Sequence, residues 1–180
     1  MHCDDVELER MAETGTSIAH CPVSQLFLGS GTMPWKRTVA SGVNIAAGTD
    51  FGGGDEWLIS RVLGDAFKVH INEPGEAGVS MHPPAEMLFV GTLAGGARAL
   101  DMEDRFGNFD AGKEADFLVV DPSRTPALAG MIDHGVRSMD DELACEQTLF
   151  ALLMGGMRET SVTEVYVRGG RRVTAGLASR

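Results

Sequence analysis

Asp50 is the residue whose position most invites a chemical reading. It ends the run "NIAAGTDFGGG" (residues 44–54), where an apolar stretch gives way to Gly48, Thr49 and a carboxylate, and then to glycines that clear the space beyond it. Parallel α/β layouts keep their functional groups at the C-terminal ends of strands, where the following loops converge. A carboxylate there can accept a proton, but it can equally cap the helix that follows. Two further pairs, His2-Cys3 and His20-Cys21, are of zinc-ligand type. Adjacent residues on a strand point to opposite faces, so neither pair can offer both side chains to one tetrahedral ion, and the spacing fits no zinc finger. Ser24 and Ser30 lie in a glycine-containing stretch without a G-x-S-x-G or phosphate-loop lysine pattern, and read as turn formers. His70 on a helix and His82 at a helix start suit solvated or capping roles, and His134 falls in a glycine-containing loop with no partner.

These residues need elements to position them, and helical and strand-like segments alternate in the way that builds a parallel sheet covered by helices. Asp5 to Thr14 reads as a helix ended by Gly15. "TSIAHCPV" reads as a strand closed by Pro22, and "SQLFLGSG" as a loop. Trp35 to Ser41 is a short helix stopped by Gly42. "VNIAAGTD" is then a strand apolar or small on both faces, as expected of one buried on both sides. "DEWLISRVLGDAFKVHI" has near-helical apolar spacing, and the prolines of "HPPAEMLFVGTLAGGARAL" suit a helix start. From about residue 107 the character changes. "GNFDAGKEADFLVVD" leads through a Gly-Lys turn into a strand ended by Pro122, and "VTEVYVRGGRRVTAG" is a hairpin joined across Gly169-Gly170.

The chain has 180 residues, 43% of them hydrophobic, enough for a real core. A formal charge of −11 argues against nucleic acid or anionic membrane surfaces as partners and favours a neutral or small substrate. No apolar run approaches the roughly 20 residues of a membrane helix, and no signal-peptide pattern opens the chain, so a cytoplasmic location is expected. The three cysteines, Cys3, Cys21 and Cys145, are an odd number at unrelated spacings, which speaks against a disulfide framework.

Several stretches together are more specific than any one. "AETGTSIAHCPVSQLFLGSG", "GTDFGGG", "AFKV", "GGARALDMEDRFGNFDAGKEADFLVVDP" and "VTEVYVRGGRRV" occur in the order and spacing of the C-terminal part of the guanine deaminases, which are metal-dependent amidohydrolases. The resemblance runs over nearly the whole chain. Related purine and triazine deaminases share "HCPVS", "GTD" and "GKEAD" and are the nearest competitors.

The resemblance implies an α/β fold. Residues 1–106 would form the C-terminal portion of a (β/α)8 barrel, and residues 107–180 a β-rich segment with one helix that contributes to a small sandwich. It implies a zinc-activated water that converts guanine to xanthine and ammonia, with the metal lowering the water's pKa from about 16 towards 7. Asp50 matches the aspartate after the last barrel strand, which ligates or neighbours the metal and handles the water's proton, and the glycines after it would let substrate and backbone approach. The family's other ligands are a His-x-His pair and single histidines on the fifth and sixth strands. Those before Met1 are expected to be missing, so the chain is expected to bind zinc weakly, to be inactive alone, and to self-associate or pair with a missing half. Aligning "ELERMAETG" without gaps makes His2 a later histidine of the sixth-strand region and puts the ligand before Met1; a gapped register would make His2 the ligand. Val23 and Gln25 stand where the family usually has threonine and asparagine. A non-catalytic remnant or interaction module is the alternative of a different class.

Overall fold

The computed structural model describes residues 2–73, 94–135, 142–154 and 157–174. The chain begins with helix α1 (Asp5–Glu13), started by a capping box in which Asp4 accepts from the Glu7 amide while the Glu7 side chain reaches back to the Asp4 amide. Gly15, at φ +69°, turns the chain into β1 (Ser17–His20). Helix α2 (Pro22–Leu28) follows at once, then α3 (Trp35–Ala40), β2 (Asn44–Ala47) and α4 (Ile59–Ile71).

The α2 helix corrects the expectation of a loop over residues 24–31. Pro22 does not close the strand so much as open a helix, because at the first helical position it gives up no needed hydrogen bond and its φ is already helical. Gly29 ends α2 in the left-handed conformation, at φ +64°.

Strands β1 and β2 run parallel in register, with Ser17 opposite Asn44 and His20 opposite Ala47. Their C-terminal ends therefore open in the same direction. Beneath them, Met33, Trp35, Ile45 and Ala66 form a buried cluster with Ile18 packed against it. At the opposite end, Asn44 Nδ2 donates to Ser17 Oγ at 2.9 Å and to the Gly95 carbonyl at 3.1 Å, which ties helix α5 (Ala94–Ala99) to β2. The expected helix start at residues 82–93 lies outside the described residues.

The second part holds β3 (Phe117–Val120), helices α6 (Pro126–Gly135) and α7 (Glu142–Met154), and the hairpin β4 (Val162–Val167) and β5 (Gly170–Thr174). The three strands form an antiparallel sheet in the order β3-β4-β5. Among the described residues, two α-helices stand where one was expected. His134 lies in the last turn of α6 rather than in a loop. Helix α7 packs on α4, with Phe150 edge-on to Phe67 at 5.0 Å, so the two parts share an apolar contact. The hairpin turns one residue earlier than Gly169-Gly170: Arg168 and Gly169 carry the positive φ values, 52° and 70°. That pair of angles is the turn that matches strand twist. The unfavourable angle at Arg168 is offset by its amide donating to Asp116 Oδ1 at 2.6 Å and its Nε to Glu114 Oε2 at 2.8 Å.

Candidate functional site at the ends of the parallel strands

The Gly48 amide donates to the His20 carbonyl at 2.9 Å, extending the β1–β2 pairing by one rung before the chain breaks into a tight turn. Asp50 sits in that turn at φ +47°, a left-handed conformation uncommon for a residue with a side chain. Its carbonyl accepts from the amides of Gly53 at 2.9 Å and Gly54 at 3.0 Å, which hold the turn closed. Its side chain is exposed.

The glycines beyond it make room for the chain's own atoms. A Cβ on Gly53 would stand 2.6 Å from Asp50 Oδ2 and 3.0 Å from its Cγ, so only glycine admits the carboxylate where it lies. A Cβ on Gly54 would collide with the Ser24 amide nitrogen at 2.9 Å, because this turn rests on the start of α2. Asp50 does not cap the following helix. Helix α4 starts only at Ile59, with Leu58 in the cap position and no side-chain capping bond.

Cys21 lies beside this turn, its sulfur 2.9 Å from where a Gly48 Cβ would be. Burial pushes its thiol pKa up, and the Asp50 charge pushes it further. His20, next in sequence, faces the other way. It is buried with His70 of α4, their Nε2 atoms 3.1 Å apart, and both rings pack against Trp35 at 5.9 and 4.5 Å between centroids. The pair is thus split: His20, the last residue of β1, is buried in the core, and Cys21, in the cap position of α2, lies half-buried beside the Asp50 turn. His70, expected to be solvated, is buried instead. The signal for this was its spacing: Val62, Ala66 and His70 recur at four-residue intervals on one face of α4, and all three are buried. Only one Nε2 of the pair can donate, and neither Nδ1 has a hydrogen-bond partner among the described residues. Burial without a counter-charge holds His20 down to about 4; burial and then the charge of His20 hold His70 down to about 3. Both rings are neutral at pH 7.

His2 lies against the loop after α2, its Nε2 donating to the Ser30 carbonyl at 3.3 Å. Among the described residues, no three His, Cys, Asp or Glu side chains gather as a group that could hold a metal ion. A catalytic zinc takes about three protein ligands, so these residues do not by themselves fit the ion. Ser24, expected to form a turn, lies instead in the first turn of α2, buried, and its hydroxyl donates to the Cys21 carbonyl at 3.2 Å. His82 lies outside the described residues.

The amidohydrolase family model matches residues 1–171. A guanine deaminase of Escherichia coli (strain K12) is 36% identical over 169 residues, covering 94% of this chain and 35% of that protein. The solved structure of E. coli guanine deaminase superposes with a TM-score of 0.81 at 34% identity, covering 96% of this chain and 37% of that one. An adenosine deaminase from Xanthomonas campestris, solved with bound zinc, superposes with a TM-score of 0.74 at 28% identity, covering 96% and 35%. The chain thus spans about a third of the length of the relatives it matches.

Proposed function

The chain belongs to the amidohydrolase family, and on that premise we propose that it supplies the portion of a guanine deaminase that carries the strand-end carboxylate, Asp50. The reaction replaces the exocyclic amine of guanine with oxygen from water and releases xanthine and ammonia. The observation that carries this reading is the setting of Asp50. Its exposed carboxylate rides on a left-handed backbone that two hydrogen bonds from glycine amides to the Asp50 carbonyl hold in place, three residues beyond a parallel strand, with no capping role to explain it. Backbone strain of this kind persists where the surrounding structure imposes it, and it clusters at working sites. In the reaction Asp50 takes a proton from the attacking water, and that proton ends on the departing amine, which leaves as ammonia.

In the same reading, residues 1–106 form part of a (β/α)8 barrel and residues 107–180 part of a small sandwich. The parallel β1–β2 pair and the antiparallel β3-β4-β5 sheet support that division. The family is generally metal-dependent, and zinc is the metal of this proposal. In this proposal further ligands come from a complementary segment, in a longer form of the chain or in another chain, and no metal-holding group among the described residues stands against that. The chain by itself then neither retains zinc nor deaminates guanine. A cytoplasmic enzyme without nucleic-acid or membrane partners suits the charge of −11, and no helix among the described residues is long and apolar enough to cross a membrane. The likeness to an adenosine deaminase makes another purine the second reading.

The test is reconstitution. With zinc and the complementary portion of a guanine deaminase supplied, fused or separate, the parent should release xanthine. Asp50→Asn should lower the rate by about 10²–10⁴ or more with the melting temperature close to unchanged. Asn activity within a few-fold of the parent would remove Asp50 from the chemistry. A reconstituted enzyme that accepts adenosine and refuses guanine would move the substrate to the second reading.

A further inference from the structure

Two large aromatic side chains stand beside Asp50, and burial does not explain them. Phe51 is 61% exposed and Trp57 is 59% exposed, yet their rings meet edge to face, 5.6 Å between centroids at 76°. Neither is loosely held. Phe51 lies in the closed Asp50–Gly54 turn, where it pairs with Gly54. The Trp57 and Leu58 amides both donate to Glu56 Oε1 at 3.0 Å, and Glu56 is in turn paired with Arg61. The Trp57 indole N–H donates to Glu159 Oε1 at 3.0 Å, across 102 positions of sequence. An exposed indole pinned at both backbone and ring has already lost the conformational freedom that binding would otherwise cost.

We propose that Phe51 and Trp57 form an aromatic platform that takes a planar heterocycle bearing N–H donors, with Glu159 as the positioning residue that sets the indole. The inference rests on the guanine deaminase reading and deepens it by naming a substrate contact. The charges around the platform choose the ligand class. Glu56 is taken up by Arg61 and by the Trp57 and Leu58 amides, and Glu159 Oε1 by the indole, which leaves Asp50 and Asp55, exposed carboxylates in the same loop, to repel a phosphate or carboxylate ligand and to accept from ring N–H and amino groups. The platform's T-shaped geometry leaves aromatic area open to stack on a flat ring. Base–aromatic stacking lost by truncation weakens binding by about 5- to 150-fold.

The chain contains two tryptophans, Trp35 in the core and Trp57 on the platform, so 5-fluorotryptophan labelling places one ¹⁹F reporter at each. Titration with guanine should shift the Trp57 resonance saturably and leave Trp35 in place. Trp57→Leu should weaken guanine binding by at least about five-fold, Trp57→Phe should keep most of it, and Glu159→Ala should broaden the Trp57 resonance while weakening binding. The melting temperature of each variant separates these effects from unfolding. If adenine or melamine shifts Trp57 and guanine does not, the platform stands and the guanine reading fails. If no heterocycle shifts Trp57, or Trp57→Leu binds guanine as the parent does, the platform is overturned. It is overturned equally if dilution alone moves the Trp57 resonance and no heterocycle moves it further, since the surface would then be a protein contact.

Discussion

His20 and His70 place two imidazoles in the core with one hydrogen bond between them and, among the described residues, no partner for either Nδ1, an arrangement that costs stability in acid. Both folded-state pKa values lie below the ordinary 6.5, so the unfolded chain binds more protons as pH falls and stability drops with it. The loss begins near pH 6.5 and grows until the folded-state values near 4 and 3 are reached. A single ring moved from 6.5 to about 4 accounts for roughly 3 kcal/mol at the acid end. His70→Phe keeps a ring against Trp35 and removes one titrating group. Its urea midpoint should therefore fall less steeply than the parent's between pH 6.5 and 4.5, whereas parallel curves would show that the pair is not what acid attacks. Asp50 could be singled out from the sequence because a carboxylate ending an apolar strand is a local pattern. The partnership of His20 with His70 was hidden, because nothing local links residues fifty positions apart.

At the scale of elements, the turn that carries Asp50 depends on its seat against α2. Gly54 rests on the Ser24 backbone, and backbone cannot yield as a side-chain tip can, so Gly54→Ala should destabilise by about 1–3 kcal/mol, read as a lower melting temperature. Gly130 gives the contrast. It lies within α6 with nothing near its missing Cβ, so Gly130→Ala should stabilise by about 0.4–1 kcal/mol through the lower entropy of the unfolded chain. Equal effects of the two substitutions would mean that the contact between the turn and α2 carries no weight. The elements α1, β1, α3, β2, α4 and the β4–β5 hairpin follow the patterns visible in the sequence. Helix α2 did not, because "SQLFLGSG" has too few residues to display a period, and the Pro22 start and Gly29 stop had to be read together. The hairpin turn shifted to Arg168-Gly169 because Glu114 and Asp116, far away in sequence, hold Arg168 in place.

For the molecule as a whole, the described residues leave much apolar surface uncovered: Leu26, Phe27 and Leu28 on α2 are 51–65% exposed, and β1 and β2 form a sheet of only two strands. Unpaired parallel edges and exposed apolar faces invite pairing with another chain. The protein should therefore self-associate at micromolar concentration, and a complementary barrel segment should displace that association. Light scattering that found a compact monomer with one cooperative melt would show that these elements close on themselves. The sequence by itself determined the α/β alternation, the carboxylate at the strand end, the family likeness and the sign of the surface charge, all of which reside in local order and composition. Only the tertiary structure decided that Asp50 is no helix cap, that the glycines after it serve its own carboxylate and α2, that His70 is buried against His20, and that Trp57 is pinned by Glu159. Each of these depends on atoms brought together by packing across tens of residues, and sequence spacing carries no record of such distances.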